Sequence, residues 1–517
     1  MNLIFTLSKS TLLPNWTDKF EADSNICFFV MQNYIICFLF HNCFLNFKMK
    51  IHFKNSLLWI LTVCLFIECK KSEIKSPEAY FIGEIINPSS DNVLLYNDNK
   101  VIDTLKLSID KRFYKKFDSI NYGLFKMEHL PEKQMLIIES GDSLLSRANM
   151  SDFNGSLFFS GKGAAKNNFL MEIYLKLQDE ISFLSSKYSL SGIGFNQIID
   201  SLQSEKYLNW KKLIEKNKFS NFSKKITEAS FKYPYANRKA RYALIRGKSK
   251  NIKTDSSYFN YRDKLNYNDE ELSFFEPYIS YLMSYLSLEA LEKDETFYLA
   301  KNNTNFNIKR IKVIEKKIKN VKLKNILARA VAYEEIMNFN NQISHEKFLK
   351  SYSLINPNEE YFNEIISLNK SLMQMRTGRP LPIVMLENNK GQIITSNKAF
   401  MGQKTVLYFW SQTQMNHFKR NEERAKVYKE KFPDYRFIGI SIQPYNQLVR
   451  SYQEIMNIDI KDQLALVNYQ TTTSEWVINL LNKGIILDKN CLILEGFGNF
   501  GYEKSFENLL RKHYKVN

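Results

Sequence analysis

Residues 79–160 consist of short apolar segments separated by polar turn sequences. Apolar and polar positions alternate inside the segments, as in a strand with one buried face. Turn residues lie between them at Asn87–Ser90, Asn97–Asn99 and Gly141–Asp142. The pattern predicts a small N-terminal β-sandwich over residues 70–165. Its predicted strands are Tyr80–Ile86, Val93–Tyr96, Val101–Leu107, Tyr122–Glu128, Met135–Glu139, Ser143–Arg147 and Ser156–Ser160.

Residues 166–377 change to helical periodicity with few helix breakers. We find no strict repeat, so the pattern indicates a helical middle domain and not a solenoid. The predicted helices are Phe169–Tyr188, Ile198–Lys216, Phe274–Glu292, Ile308–Lys319, Leu323–Phe339, His345–Tyr352 and Tyr361–Met375.

The segment Gly161–Asn168 contains two glycines and two lysines, a composition found in phosphate-binding loops. The P-loop pattern needs a second glycine five residues later, followed by Lys and Ser or Thr, and this segment has neither. We therefore interpret it as the turn that leads into a helix starting at Asn168.

Residues 378–517 alternate strand and helix patterns, which predicts an α/β layered domain. The predicted strands are Ile383–Leu386, Gln392–Thr395, Lys404–Trp410, Tyr435–Ile442, Gly484–Asp488 and Cys491–Glu495. The predicted helices are Phe418–Phe432, Asn446–Met456, Ser474–Leu481 and Glu503–His513.

The N-terminus has the layout of a targeting signal. Lys50 and Lys54 precede the apolar run Leu57–Ile67, which is too short to anchor stably across a bilayer. Cys69 follows at the start of a polar stretch, and this order resembles the lipobox of bacterial lipoproteins. Glu68 departs from the small residue that a lipobox prefers, and Cys64 is a second candidate. The alternatives are an ordinary signal peptide and an uncleaved signal anchor.

Met49 stands directly before this signal, so we expect translation to start there. Residues 1–48 would then be a mis-assigned extension, residues 49–69 the signal peptide with its lipobox, and Cys69 the lipid anchor. Of the six cysteines, only Cys69 and Cys491 would remain in the mature chain. Structural disulfides are not expected, although the compartment permits them.

The formal net charge of +18 does not indicate a nucleic-acid partner. Lysines and arginines are spread along the chain with acidic residues between them, and no recognition motif groups them. We interpret the charge as a solvated basic surface with, at most, a weak attraction to anionic lipid headgroups.

Several segments of the last quarter resemble the thioredoxin fold of envelope thiol–disulfide oxidoreductases related to TlpA and ResA. Gly378–Pro382 is similar to the leading segment of that family. Lys404–Trp410 resembles the central strand, which ends in Phe-Trp before the active-site turn. Tyr435–Ile442 resembles the next strand, and Ile485–Asp488 the strand after the family's cis-proline. The resemblance implies a C-terminal thioredoxin-like domain over residues 378–517.

The wider layout resembles lipoproteins of the Bacteroidota. These combine a signal with a lipobox, a β-domain, a helical region and a thioredoxin-like end. Their β-domain tends to end in a Phe-Ser-Gly-x-Gly-Ala-x-x-Asn-Asn pattern, which this chain matches at Phe159–Asn168.

The chain departs from the family at its reactive positions. The spacing places the Cys-x-x-Cys cysteines at Gln414 and His417, and the cis-proline at Asn482. Dithiol chemistry needs a low-pKa thiolate at a helix N-terminus and a second thiol, and both are missing here. Cys491 falls on a strand far from that turn, and we expect an inert buried side chain.

No other catalytic or metal-binding layout emerges from the sequence. His417 stands near Gln412, Gln414 and Asn416 alone, so it lacks the partners of a metal site, and we expect a capping or surface histidine. The hydrolase, zinc-protease and dinucleotide motifs are absent from the sequence. We therefore expect no metal, no cofactor and no catalytic residue.

The leading hypothesis is a redox-inactive, lipid-anchored envelope protein, facing the periplasm or the cell surface. It would act as a binding or scaffolding module for an envelope protein or peptide, and would meet the membrane through its anchor. The alternative is a divergent thiol–disulfide oxidoreductase in redox homeostasis or cytochrome maturation. A third hypothesis is a structural or nutrient-uptake accessory lipoprotein whose β-domain makes the main contacts.

Overall fold

The computed structural model describes residues 78–98, 100–246, 256–292, 295–337, 342–356, 358–445, 450–451, 453–454, 458 and 460–514. The expected extension, the signal peptide, Met49 and Cys69 lie outside these residues, as does most of the helix predicted at Asn446–Met456. Three sheets and many helices make up a multidomain chain. None of the described helices combines the length and apolar character needed to cross a bilayer.

Eight strands between residues 79 and 162 form two four-stranded sheets. They are β1 Ala79–Ile86, β2 Asn92–Asn97, β3 Lys100–Lys106, β4 Arg112–Phe117, β5 Tyr122–His129, β6 Glu132–Glu139, β7 Ser143–Asn149 and β8 Phe158–Lys162. The sheet orders are β4-β1-β7-β8 and β3-β2-β5-β6. Side chains from both sheets, such as Phe81 and Leu95, share one buried apolar cluster.

The turns of this region follow from its sequence. Asn87, Asp98 and Gly141 adopt positive φ angles of 53°, 49° and 78°, and they lie in the three predicted turn sequences. Asn, Asp and Gly are the residues that accept this conformation most readily. The sequence pattern does not predict strand β4, whose sequence is RFYKKF. Four of its six residues are charged or Tyr, and only Phe113 is fully buried.

The glycine-rich segment joins β8 to a long helix. The helices here are α1 Phe153–Ser156 and α2 Ala164–Ser185, and Gly163, with φ of 97°, directly precedes α2. The predicted helix start at Asn168 is therefore wrong by four residues, because the left-handed glycine lets the helix begin at Ala164.

Two asparagines of the segment bind strand backbones. Oδ1 of Asn167 accepts from the backbone N–H of Ile137 (2.8 Å), and its Nδ2 donates to the Ile137 carbonyl (2.9 Å). Asn168 binds the backbone of Phe159 in the same way (2.9 and 2.8 Å). The buried Lys166 forms ion pairs with Asp142 and Glu139. These contacts fix α2 against the strands, so the segment acts as a structural joint.

The middle of the chain is helical. Its helices are α3 Gly192–Asn217, α4 Asn221–Arg246, α5 Glu276–Ala290, α6 Phe297–Ala300, α7 Thr304–Lys317, α8 Val321–Met337, α9 Gln342–Ile355 and α10 Glu359–Gln374, with 3-10 segments at Ser186–Ser189 and Ser256–Lys264. The sequence pattern misses α4, because Pro234 inside it usually interrupts a helix. Tertiary packing overrides this preference, since Phe231, Tyr235 and Tyr242 of α4 are fully buried.

The last region contains a seven-stranded sheet in the order β10-β9-β13-β12-β11-β14-β15. The strands are β9 Met385–Asn388, β10 Ile393–Thr395, β11 Thr405–Trp410, β12 Arg436–Ser441, β13 Gln463–Leu466, β14 Lys483–Leu487 and β15 Ile493–Asn499. The helices are α11 Ser396–Phe400, α12 Met415–Lys431, α13 Tyr469–Glu475 and α14 Glu503–Tyr514. Strand β11 runs parallel to β12 and antiparallel to β14.

Two predictions in this region need correction. The helix predicted at Ser474–Leu481 is wrong: α13 ends at Glu475, and Val477 has a left-handed φ of 49°. The pattern also misses β13, because four residues are too few for a periodic signal. The domain limits 70–165, 166–377 and 378–517 stay predictions.

Candidate functional site

The sequence resemblance assigns the reactive cysteines and the cis-proline of the resembled family to positions 414, 417 and 482, here called the three family positions. The turn between β11 and α12 contains the first of them, position 414. Strand β11 ends at Trp410, and Gln414 directly precedes α12. The Gln414 side chain is exposed and caps no helix amide. The backbone carbonyl of Gln414 accepts hydrogen bonds from the backbone amides of His417 (2.9 Å) and Phe418 (3.1 Å). Position 414 therefore stands at a helix N-terminus, where a thiolate is stabilised in redox proteins.

His417 lies in the first turn of α12, as predicted, but it is not a surface residue. It is 8% exposed, and its Nε2 lies 2.7 Å from Oδ1 of Asn482. A second contact joins Nε2 to Nδ2 of Asn421 at 3.4 Å. The helix turns this side chain inward, which brings family positions 417 and 482 into direct contact.

The pairing of β11 with β14 explains this contact. Tyr408 lies opposite Gly484 in the antiparallel register, so Asn482 reaches the end of β11 where α12 begins. The Asn482 side chain is half-buried beside Gly501, where an added Cβ would lie 2.7 Å from Cγ of Asn482. A small residue at 501 thus leaves room for the Asn482 amide.

The His417–Asn482 pair is electrically neutral. Burial lowers the pKa of His417, the hydrogen bond to Asn482 raises it, and Arg420 and Arg424 lower it further. A neutral ring with its proton on Nε2 donates to Asn482 Oδ1. The buried Nδ1 has no hydrogen-bond partner within the described part of the chain. The pair therefore offers neither a thiol nor a charged acid.

Polar side chains hold the turn in place. Gln443 accepts from the amide of Gln412 (3.1 Å) and donates to the hydroxyl of Ser411 (2.9 Å). The hydroxyls of Ser411 and Thr413 lie 2.8 Å apart. The turn is thus tied to the loop after β12 by side chains that the sequence pattern does not single out.

A residue from the first half of the chain contacts this turn. The hydroxyl of Thr413 donates to Oε1 of Glu132, the first residue of β6, at 3.1 Å. Burial raises the pKa of Glu132, and the hydrogen bond from Thr413 lowers it in part. The turn is therefore partly covered by the hairpin between β5 and β6.

Helix α12 carries a half-buried carboxyl group, Glu422. Oε1 of Glu422 accepts from the hydroxyl of Tyr408 (2.5 Å) and from Nε2 of Gln463 (2.9 Å). Gln463 in turn accepts from the indole of Trp410 at 3.1 Å. Burial raises the pKa of Glu422 to about 7. In the sequence, Glu422 could have been recognised as an acidic residue on the apolar face of α12, four residues after Phe418.

A buried amine lies next to the third family position. Lys483 is 5% exposed, its Nζ donates to the carbonyl of Val477 at 3.1 Å, and it stands 4.4 Å from the centre of the Phe497 ring. Burial lowers the pKa of Lys483 to about 7, and Glu495 partly opposes this shift. The site region therefore holds two groups, Glu422 and Lys483, that titrate near neutral pH.

Cys491 is buried, as predicted, but it lies in a turn and not on a strand. Its φ is 62°, and β15 begins only at Ile493. Its Sγ lies 3.8 Å from the carbonyl of Asn397, and burial raises its pKa. Because β14 is antiparallel to β11, Cys491 stands at the opposite end of the sheet from Asn482.

Within the described residues, no group of three or more His, Cys, Asp or Glu side chains is arranged to hold a metal ion. Cys491 is also the one cysteine that the described part contains.

No family model matches this chain, and no curated protein matches it. Solved structures do show a likeness. The thioredoxin domain of a thiol-disulfide oxidoreductase from Bacteroides vulgatus is 17% identical, with 27% of this chain and 99% of that chain covered and a TM-score of 0.23.

Two further structures give similar values. A thiol-disulfide oxidoreductase from Bacteroides fragilis is 20% identical over 26% of this chain and 100% of that chain, with a TM-score of 0.22. A thioredoxin-like protein from Porphyromonas gingivalis is 21% identical over 26% of this chain and 89% of that chain, also with a TM-score of 0.22. Because these identities and TM-scores are low, the three structures do not indicate the activity of this chain.

Proposed function

We propose that this protein is a redox-inactive thioredoxin-like lipoprotein that acts as a binding or scaffolding module in the bacterial cell envelope. In this proposal, residues 378–517 form the thioredoxin-like domain, and the two four-stranded sheets form a β-sandwich. Cys69 carries the lipid anchor, and the partner is an envelope protein or peptide.

The observation that carries the proposal is the hydrogen bond between His417 and Asn482. Dithiol exchange requires two thiols beside each other, and here a neutral histidine and an amide occupy two of the family positions and bind each other at 2.7 Å. The two side chains bind each other directly, so this hydrogen bond forms without a substrate. This supports a protein in which the packing of the fold remains and the dithiol chemistry is absent.

The position of Cys491 supports the same conclusion. A nucleophilic thiol needs a lowered pKa and access to its substrate. Burial raises the pKa of Cys491, and its side chain is 5% exposed. A one-thiol mechanism at this residue would have to work at the opposite end of the sheet from the helix N-terminus at 414.

The exposed residues at the turn indicate where a partner would bind. Gln414 is exposed, and Leu480, two residues before Asn482, is 64% exposed. An exposed leucine and an exposed amide side chain suit an extended peptide, which binds through main-chain hydrogen bonds and side-chain pockets. The contact from Glu132 to Thr413 limits this surface on one side.

The second candidate function is a divergent thiol–disulfide oxidoreductase, the activity named for the structural neighbours. Insulin reduction and hydroperoxide reduction by the purified full chain separate the two. Our proposal expects no turnover above a blank, and the same result for Cys491→Ser. Turnover that Cys491→Ser abolishes would establish the oxidoreductase and overturn the proposal.

A further inference from the structure

A cavity of about 680 Å³ opens between α3, α4 and the 3-10 segment Ser256–Lys264. Its volume lies in the range of small-molecule sites. The α3 wall consists of residues one helical turn apart, which are Asn196, Asp200, Gln203, Ser204 and Tyr207. Its lining residues all lie between Asn196 and Leu265, so a ligand here would contact none of positions 414, 417 and 482, and the inference goes beyond the proposed function.

The cavity combines aromatic rings with planar polar side chains. Phe231 and Tyr258 are buried in its walls, whereas Tyr207 is 41% exposed. Gln203 and Asn260 add amide groups to the lining. An exposed aromatic face attracts the weakly positive C–H bonds of a ligand, because the face of the ring is electron-rich.

The charges that line the cavity are arranged in pairs. Nζ of Lys239 lies 2.6 Å from Oδ1 of Asp200, and Nζ of Lys232 lies 3.4 Å from Oε1 of Glu228. Such pairs place donors next to acceptors and leave little net charge, apart from the exposed Lys264. A hydroxyl group, which both donates and accepts, matches this lining better than an ion does.

Asn196 contributes to the cavity a polar atom that has no partner in the described protein. Nδ2 of Asn196 donates to the carbonyl of Tyr258 at 3.3 Å, but its buried Oδ1 accepts no hydrogen bond. A buried acceptor without a donor is unfavourable, and a ligand hydroxyl that reaches it would remove this penalty.

We propose that this cavity binds a neutral, hydroxyl-rich ligand of the saccharide class. The ring of Tyr207 would stack on the apolar face of a sugar. Gln203, Asn196 and the Asp200–Lys239 pair would bind its hydroxyl groups.

Isothermal titration of the full chain with maltotriose, cellotriose and chitotriose tests the proposal. We expect at least one trisaccharide to bind at concentrations up to about 10 mM. Tyr207→Ala and Gln203→Ala should each weaken that binding about tenfold. Tyr298→Ala is the matched control, since Tyr298 is 77% exposed and is not part of the cavity lining.

Tyr207→Ala removes an aromatic ring and could disturb the fold. Gln203→Ala removes only one amide and leaves the aromatic packing intact, so it tests binding without that risk. Binding that both variants weaken and the control leaves unchanged supports the proposal. Absence of binding by all three trisaccharides, or binding that neither variant weakens, overturns it.

Discussion

His417 and Asn482, separated by 65 positions in the sequence, are joined by a hydrogen bond of 2.7 Å between Nε2 and Oδ1. The antiparallel pairing of β11 with β14 brings them together, and burial keeps the histidine neutral. The family resemblance assigns a cysteine and the cis-proline to these positions. In the proposed function, His417 and Asn482 therefore form a hydrogen-bonded pair at the centre of the site.

Removal of the Asn482 amide should destabilise the protein, because it leaves the buried His417 without its principal partner. We expect Asn482→Ala to lower the free energy of unfolding by about 1–3 kcal/mol, measured by urea denaturation. Asn479→Ala is the control, since Asn479 is exposed, and its effect should stay within about 0.5 kcal/mol. Equal effects of the two variants would contradict a structural role for the pair.

Glu422 should make the stability depend on pH below neutrality. Its pKa is about 7 in the folded protein and near 4.5 when exposed, so the folded state holds the extra proton between these values. The free energy of unfolding should therefore fall as the pH rises from 4.5 to 7.

Glu422→Gln should remove that part of the pH dependence and stabilise the protein above pH 7, by about 1–3 kcal/mol. The amide keeps an acceptor for Tyr408 and Gln463 without the buried charge. Its exposed neighbour provides the control Glu423→Gln, whose pH profile should follow the wild type. An unchanged profile for Glu422→Gln would show that the carboxyl group is not desolvated.

Lys483 should give the opposite trend at higher pH. Its pKa is about 7 in the folded protein against 10.5 for a free lysine, so the unfolded chain binds the extra proton between these values. The free energy of unfolding should rise from pH 7 to 10.5, and Lys483→Met should remove this rise. The exposed Lys504 provides the control Lys504→Met, which should keep it. A rise that persists in Lys483→Met would assign it to another group.

Asn167 should matter for the joint between the strands and α2. Its side chain makes hydrogen bonds to both backbone groups of Ile137 and to the carbonyl of Gly163. We expect Asn167→Ala to destabilise the protein by about 2–4 kcal/mol, measured by thermal or urea unfolding. Asn154→Ala, at an exposed position of α1, should have little effect. A loss below about 0.5 kcal/mol for Asn167→Ala would refute this role.

Local pattern predicted the elements whose burial follows sequence periodicity. Strand β1 is an example, since its residues alternate between buried and half-buried, and β11 is another, since all its residues are buried. Local pattern could not predict helix α4, because Pro234 disfavours a helix there and packing against neighbouring helices stabilises it.

In the candidate site, too, some features follow from local sequence and others depend on tertiary contacts. The sequence places His417 at the start of α12, but its hydrogen bond to Asn482 depends on the register of the sheet, which brings the two residues together. The contact of Thr413 with Glu132 joins residues 281 positions apart, and no local signal predicts it. Glu422 was predictable in principle, as an acid on an apolar helix face, although its partners Tyr408 and Gln463 were not.

Restoration of the three family positions tests the central claim most directly. The variant Gln414→Cys/His417→Cys/Asn482→Pro places two thiols at the start of α12 and the proline beside them. Insulin reduction would be measured for this variant and for the wild type. We predict no turnover for the wild type and a clear gain for the triple variant, because the proposed function holds that the thioredoxin-like scaffold remains and only its reactive groups are missing. Turnover by the wild type, or a folded triple variant without activity, would contradict the account.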